Sequence, residues 1–192
     1  RRTVPSPSRE LPVLGDYDVV VVGGGTSGTP AAIGAARGGA KTLLVEYIHA
    51  LGGVGTDGRV TGYYCGNKSG FVDEFQFAVT HSDAAKAHGW DYSSYPRSET
   101  WRRMCAKAGV EVWFGTMAEG ATVTGRTVDG VVVVTPFGRG VVRAKSVIDA
   151  TGNSDVAAAA GAKTVFLCAR ELAVQSAGKS PHRYGRGGAN SD

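Results

Sequence analysis

Three glycines, Gly23, Gly25 and Gly28, stand at G-x-G-x-x-G spacing, and an acid, Glu46, follows at the distance expected of a dinucleotide fold. Each glycine has a chemical use there. Gly23 allows a tight turn. Gly25 lets the backbone approach a pyrophosphate with no Cβ in the way. Gly28 lets the following helix lie close to the sheet. Thr26 and Ser27 complete the turn, where a helix start offers free N–H groups to phosphate oxygens. Glu46 has the acceptor chemistry that ribose hydroxyls need. No Arg or Lys follows it closely, so a 2′-phosphate would meet only repulsion.

These residues need elements to hold them. The apolar run Val19 to Val22 suits a strand buried on both faces of a parallel sheet. A helix is expected from about Thr26 to Arg37, with Pro30 tolerated in its first turn and Gly38-Gly39 stopping it. Thr42 to Val45 makes the second strand and ends on Glu46. A strand-end acid is not core, so its loss is expected to spare the fold. Further on, Phe71, Phe75 and Val79 mark a partly helical stretch. Ser98 is a candidate cap for a helix with Trp101, Met104, Cys105 and Ala108 on one face. Val110 to Phe114 reads as a third strand. Three β segments follow, Ala121 to Arg126, Gly130 to Thr135 and Gly140 to Ala144, with turn signals at Asp129-Gly130 and Pro136-Phe137-Gly138. Lys145 to Ala150 returns as a buried strand, then Thr151-Gly152-Asn153, then an alanine-rich helix over 155–162. The fold class is α/β: a Rossmann-like domain with a mainly parallel sheet and a small antiparallel β-meander as its crossover.

The bulk numbers narrow the partners. A net charge of +4, with Lys and Arg spread along the chain, does not call for nucleic acid. No apolar run approaches the roughly 20 residues of a membrane span. Cys65, Cys105 and Cys168 have no metal-like or C-x-x-C spacing, which fits a reducing, cytoplasmic setting, and no metal site is expected. His81 and His88 stand among polar residues with no second ligand pattern. Arg1-Arg2 leads no apolar segment, so 1–16 reads as a flexible tail, 17–165 as the dinucleotide domain, and 166–192 as the truncated start of a further segment.

Two further motifs carry a resemblance. Leu51-Gly52-Gly53 follows Glu46 closely, and Ile148-Asp149-Ala150-Thr151-Gly152 closes the returning strand. With the glycine turn, they make residues 17–165 resemble the N-terminal part of an FAD-dependent oxidoreductase of the glutathione-reductase-like superfamily. That resemblance implies FAD bound in extended form, with adenosine at Glu46 and pyrophosphate over Gly23 to Gly28. It adds Gly52, Gly53 and Thr56 of the loop and Ala150, Thr151 and Gly152 of the turn to the cofactor contacts, beside Gly23, Gly25, Thr26, Ser27, Gly28 and Glu46. It implies hydride transfer between a small-molecule substrate and the flavin. Members with a redox disulfide carry two cysteines just after Leu-Gly-Gly. Here Val54, Gly55, Thr56, Asp57 and Gly58 stand there, so disulfide chemistry is not expected. Cys65 is either a buried thiol or a group facing the flavin. No acid or base has a catalytic role on sequence alone. The second Gly-Asp motif of the family is not visible, so a second chain or a missing C-terminal part is expected to complete the flavin site. Two alternatives stay open: a non-catalytic FAD-binding subunit or fragment, and a nicotinamide-linked dehydrogenase on a plain Rossmann fold.

Overall fold

The computed structural model describes residues 10–60, 69–83, 86 and 94–165. Cys65, His88, Cys168 and the segment 166–192 lie outside the described residues. One six-stranded sheet runs through the domain: β1 (Val13–Val22), β2 (Thr42–Val45), β3 (Glu111–Trp113), β4 (Met117–Thr124), β5 (Thr127–Thr135) and β6 (Gly138–Asp149), in the order β3-β2-β1-β6-β5-β4. β3, β2, β1 and β6 pair in parallel, whereas β4, β5 and β6 pair antiparallel. The helices are α1 (Gly28–Arg37), α2 (Phe71–Thr80), α3 (Ser94–Ala108) and the short α4 (Asp155–Ala159).

The register explains where a site can form. Val22 pairs with Val45 on one side and with Asp149 on the other. The three strands therefore end at one level, and Gly23, Glu46 and Ala150 leave the sheet side by side. This is the carboxyl edge at the point where connections diverge to either side of β1, the usual place for a ligand crevice in such sheets.

β1 and β2 alternate their side chains between two cores, as the strand period requires. Val21 and Leu44 join Ile33, Leu51, Phe75, Val79, Trp101 and Met104 beneath the helices. Val20, Val22, Leu43 and Val45 face the other way and pack with Val131, Val133, Val142 and Val156. The meander strands thus supply the second face of the sheet's central part. Cys105 belongs to the first core at 1% exposure, and burial pushes its thiol up to about 12, which leaves it inert.

Four expectations need correction. β1 begins at Val13, inside the stretch 1–16 read as a tail, because Val13 to Tyr17 pair with Val141 to Ala144 of β6. The third meander segment and the returning strand are one strand, β6, which pairs with β5 on one edge and β1 on the other. The turn before β5 falls at Gly125-Arg126 rather than Asp129-Gly130. Gly130 lies between Thr122 and Arg143, where an added Cβ would come 2.8 Å from the Val142 carbonyl oxygen, so this glycine marks close strand approach. Finally, α3 begins at Ser94 with Pro96 in its first turn, and Ser98 sits inside the helix. Its hydroxyl accepts the Leu51 N–H at 3.1 Å, so Ser98 anchors the Leu-Gly-Gly loop instead of capping.

Trp101 ties these layers together. Its ring stacks on Phe75 at 3.8 Å and Phe71 at 5.9 Å between centroids. An added Cβ at Gly52 would lie 3.1 Å from its Cδ1, so the indole also backs the loop. Trp101→Ala is expected to destabilise the domain by about 3–5 kcal/mol in urea unfolding, the usual cost of an emptied aromatic site.

Candidate functional site

A cavity of about 460 Å³ opens at the carboxyl edge of β1, β2 and β6. That volume is within the usual range for small-molecule sites. Its floor is the glycine turn: Gly23, Gly25, Thr26 and Ser27. One wall is Glu46 with Tyr47 and Ile48, and Gly53 and Val54 approach from the loop. The opposite wall is Ala150, Thr151 and Gly152, followed by Asn153 and Asp155, and Thr116 of the β3–β4 link closes the side with Met117 and Ala118 at the start of β4.

The floor is shaped by what the glycines permit. Gly23 has φ +98°, and an added Cβ would strike the carbonyl of Ala150. A Cβ on Gly28 would overlap the Gly23 carbonyl oxygen and sit 2.9 Å from Ala150 Cβ. Both glycines exist to let the turn, α1 and the Ala-Thr-Gly segment touch. Gly25 differs: no protein atom lies within 4 Å of the Cβ it lacks. Its bareness serves no packing in the protein, and it faces the cavity.

Between them lies Gly24, a residue the motif leaves unspecified, and its peptide groups bind three other segments. Its N–H donates to Glu46 Oε2 at 2.6 Å. Its carbonyl oxygen accepts the Thr29 hydroxyl at 2.7 Å and the Gly52 N–H at 2.7 Å. Glu46 Oε1 accepts the Ile48 N–H at 2.8 Å. Glu46 is 8% exposed. The premise that this strand-end acid is not core is therefore corrected, because Glu46 is buried and its removal leaves the buried Gly24 N–H without its acceptor. Each carboxylate oxygen keeps a second lone pair for a hydroxyl in the cavity.

The far wall is braced in the same manner. Asp149, at the end of β6, accepts the Thr151 N–H at 3.1 Å and hydroxyl at 2.7 Å through Oδ1, and the Ala157 N–H at 2.8 Å through Oδ2. The Thr151 hydroxyl in turn accepts the Asp155 N–H at 3.0 Å. Burial pushes the Asp149 carboxyl up, but the Ala157 N–H and the Thr151 contacts outweigh it and hold the group below its ordinary range.

Of the residues singled out from sequence, Gly23, Gly25, Thr26, Ser27, Glu46, Gly53, Ala150, Thr151 and Gly152 line the cavity. Gly28, Gly52 and Thr56 stand behind it. Thr56 is fully buried, and its hydroxyl donates to the Leu51 carbonyl at 2.9 Å, so it shapes the loop from inside. Sequence reasoning missed Tyr47, Thr116 and Met117. Tyr47 follows the acid directly and could have been found from that. Thr116 and Met117 carry no motif and arrive because the Thr116 N–H donates to the Glu46 carbonyl at 3.1 Å. His81 lies apart, stacked on Phe77 at 4.0 Å. Among the described residues no group of three potential metal ligands gathers, and no helix is long and apolar enough to cross a membrane.

Comparison with known proteins decides the affiliation. The family model described as FAD dependent oxidoreductase matches residues 18–174, most of the chain. The chain belongs to the FAD dependent oxidoreductase family. Its cofactor is FAD, which sets aside the nicotinamide alternative. The dihydrolipoyl dehydrogenase of Trypanosoma brucei brucei is 58% identical over 45 residues, which is 23% of this chain and 9% of that enzyme. A geranylgeranyl bacteriochlorophyll reductase-like protein of Thermoplasma acidophilum superposes with a TM-score of 0.59 at 26% identity, covering 80% of this chain and 44% of its own. THI4 of Thermovibrio ammonificans follows with a TM-score of 0.56 at 25% identity, over 75% of this chain and 61% of its own. The chain thus spans less than two thirds of the length of each of these relatives. The residues present fit FAD: a bare Gly25 facing the cavity, a buried acid with free lone pairs, and a helix start beneath the floor.

Two substitutions separate roles within this site. Gly25→Val is expected to leave the unfolding midpoint in place, since its side chain meets open space, and to abolish FAD binding in a fluorescence titration. Glu46→Ala is expected to lower both stability and FAD affinity, each by about 1–3 kcal/mol, because one carboxylate serves Gly24 and the cavity together; parallel urea unfolding and titration measure the two losses.

Proposed function

We propose that this chain is the FAD-binding part of a flavin-dependent oxidoreductase that transfers hydride between a small-molecule substrate and its flavin. The observation that carries this reading is the single cavity in which the glycine turn, Glu46 and the Ala-Thr-Gly turn meet. Its shape and its polar groups suit the adenosine and pyrophosphate end of the cofactor. Gly23, Gly25, Thr26 and Ser27 would hold the pyrophosphate over the α1 start, with Gly28 behind them. Glu46 would take the ribose hydroxyls. Gly52, Gly53 and Thr56 would shape the passage toward the flavin ring, and Ala150, Thr151 and Gly152 would cover the other side. Bound FAD would supply the hydride-accepting chemistry itself, at its N5, and the protein's share is placement and electrostatics.

The match to a dihydrolipoyl dehydrogenase over 45 residues favours placement in the glutathione-reductase-like superfamily. Among the described residues, the titratable side chains lining the cavity are Glu46, Tyr47 and Asp155, all at the proposed adenosine and pyrophosphate end. We therefore place the substrate-facing groups on further polypeptide, either a continuation of this chain or a partner, that would cover the flavin ring and exclude water. A reducing, cytoplasmic setting suits the buried free thiol of Cys105.

The purified native protein is expected to be yellow and to release FAD on denaturation, read by flavin absorbance and chromatography. Recovery of a nicotinamide dinucleotide with no flavin would overturn this reading.

A further inference from the structure

Asp149 has the densest set of contacts at the far wall, yet it does not line the cavity. Its two carboxylate oxygens take three donors: the Thr151 N–H, the Thr151 hydroxyl and the Ala157 N–H. The Thr151 hydroxyl is used in both senses, donating to Asp149 and accepting the Asp155 N–H. A threonine facing a phosphate-bearing cavity would be expected to offer its hydroxyl to the ligand. Here the donor is already committed to a carboxylate at 2.7 Å, a charge-assisted bond that a ligand would have to break.

The turn so held is packed directly on the glycine turn. The Ala150 N–H donates to the Val22 carbonyl at 2.8 Å. An added Cβ on Gly23 would lie 3.1 Å from Thr151 Cα, and one on Gly28 would lie 2.9 Å from Ala150 Cβ. The space between the two turns is thus filled, and a shift of one moves the other. Asp149 stands at the last paired position of β6, opposite Val22, and cannot move with the turn. Its carboxylate references the backbone of the turn to the sheet.

We infer that Asp149 is a positioning residue for FAD binding: it locks the Ala150–Gly152 turn against the glycine turn, and the Thr151 hydroxyl serves that lock rather than the cofactor. This inference rests on the flavin reading above. Asp149→Asn keeps the size of the side chain but replaces one acceptor by a donor, which then faces the Ala157 N–H or the Thr151 pair. Thr151→Val keeps shape and removes the hydroxyl, whereas Thr151→Ser restores it.

The test uses the full 192-residue chain, stripped of flavin and titrated with FAD well below the unfolding midpoint of each variant. Asp149→Asn and Thr151→Val are each expected to weaken FAD binding roughly tenfold or more, the scale of one lost charge-assisted hydrogen bond. Thr151→Ser is expected to recover most of that loss. The double variant is expected to bind no more weakly than the worse single one, because both substitutions remove one lock. A lock that served only folding would lower the unfolding midpoint and leave the dissociation constant of the folded protein unchanged, and that result would overturn the inference. So would losses that multiply in the double variant. Should Asp149→Asn not fold, the comparison of Thr151→Val with Thr151→Ser decides the matter. A wild-type chain that takes up a nicotinamide dinucleotide and no FAD refutes the flavin reading and this inference with it. Normal binding by both the wild type and Asp149→Asn refutes this inference alone.

Discussion

The site depends on the backbone of one residue, Gly24. Its N–H and carbonyl have no helix or strand to satisfy them, and both are buried against protein. An unpaired backbone group in such a place costs more than a typical hydrogen bond contributes. The solution is to make each bond join a different segment. Glu46 brings the end of β2, Thr29 brings α1, and Gly52 brings the Leu-Gly-Gly loop. Satisfying the backbone of one residue therefore assembles three sides of the cavity. Glu46 is doubly occupied in this scheme, which is why an acid with a proposed ligand role is also buried structure.

The two walls follow a common plan. On each, a carboxylate at a strand end turns its oxygens back onto backbone N–H groups beyond the strand. Glu46 does this for Gly24 and Ile48, and Asp149 for Thr151 and Ala157. The sheet is the rigid reference, and the carboxylates transfer its position to loops that have no regular pairing. Preorganisation of this kind removes part of the ordering cost that a ligand would otherwise bear. A dinucleotide arriving at this edge meets loops already set.

Much of this was legible in the sequence, and the reasons differ by element. The run Val19 to Val22, the spaced glycines and Glu46 each have one physical use, and those uses agree on one geometry. The meander was legible as β structure but not in its joints. Pro136-Phe137-Gly138 marks a true turn, whereas Asp129-Gly130 imitates one, since a glycine demanded by crowding between strands looks the same in sequence as a glycine demanded by a turn. The length of β1 was hidden because Pro12 stands just before it and Gly15 and Asp16 within it are poor strand formers, and only pairing with β6 keeps Gly15 and Asp16 in a strand. Glu46 looked expendable for stability because burial of an acid depends on backbone partners that no side-chain pattern announces. Asp149 was part of a recognised motif, yet its role lies in three hydrogen bonds to residues after it, which spacing alone does not reveal.

The double duty of β6 has a consequence for how the molecule comes into being. β1 can pair with β2 and close over α1 while the chain is still short. Its other neighbour is encoded near the far end of the described chain, and the meander must be laid down before it. Pairings between such distant stretches form late, because the loop between them must be closed first. During synthesis the helical side of the sheet can gather while one edge of β1 still stands open. That edge, and the sheet face that carries Val20 and Val22, stays open to wrong partners until then. The cofactor's cradle is complete only when β6 has docked, so a flavin can be gripped from both sides only by a chain that has already finished its sheet.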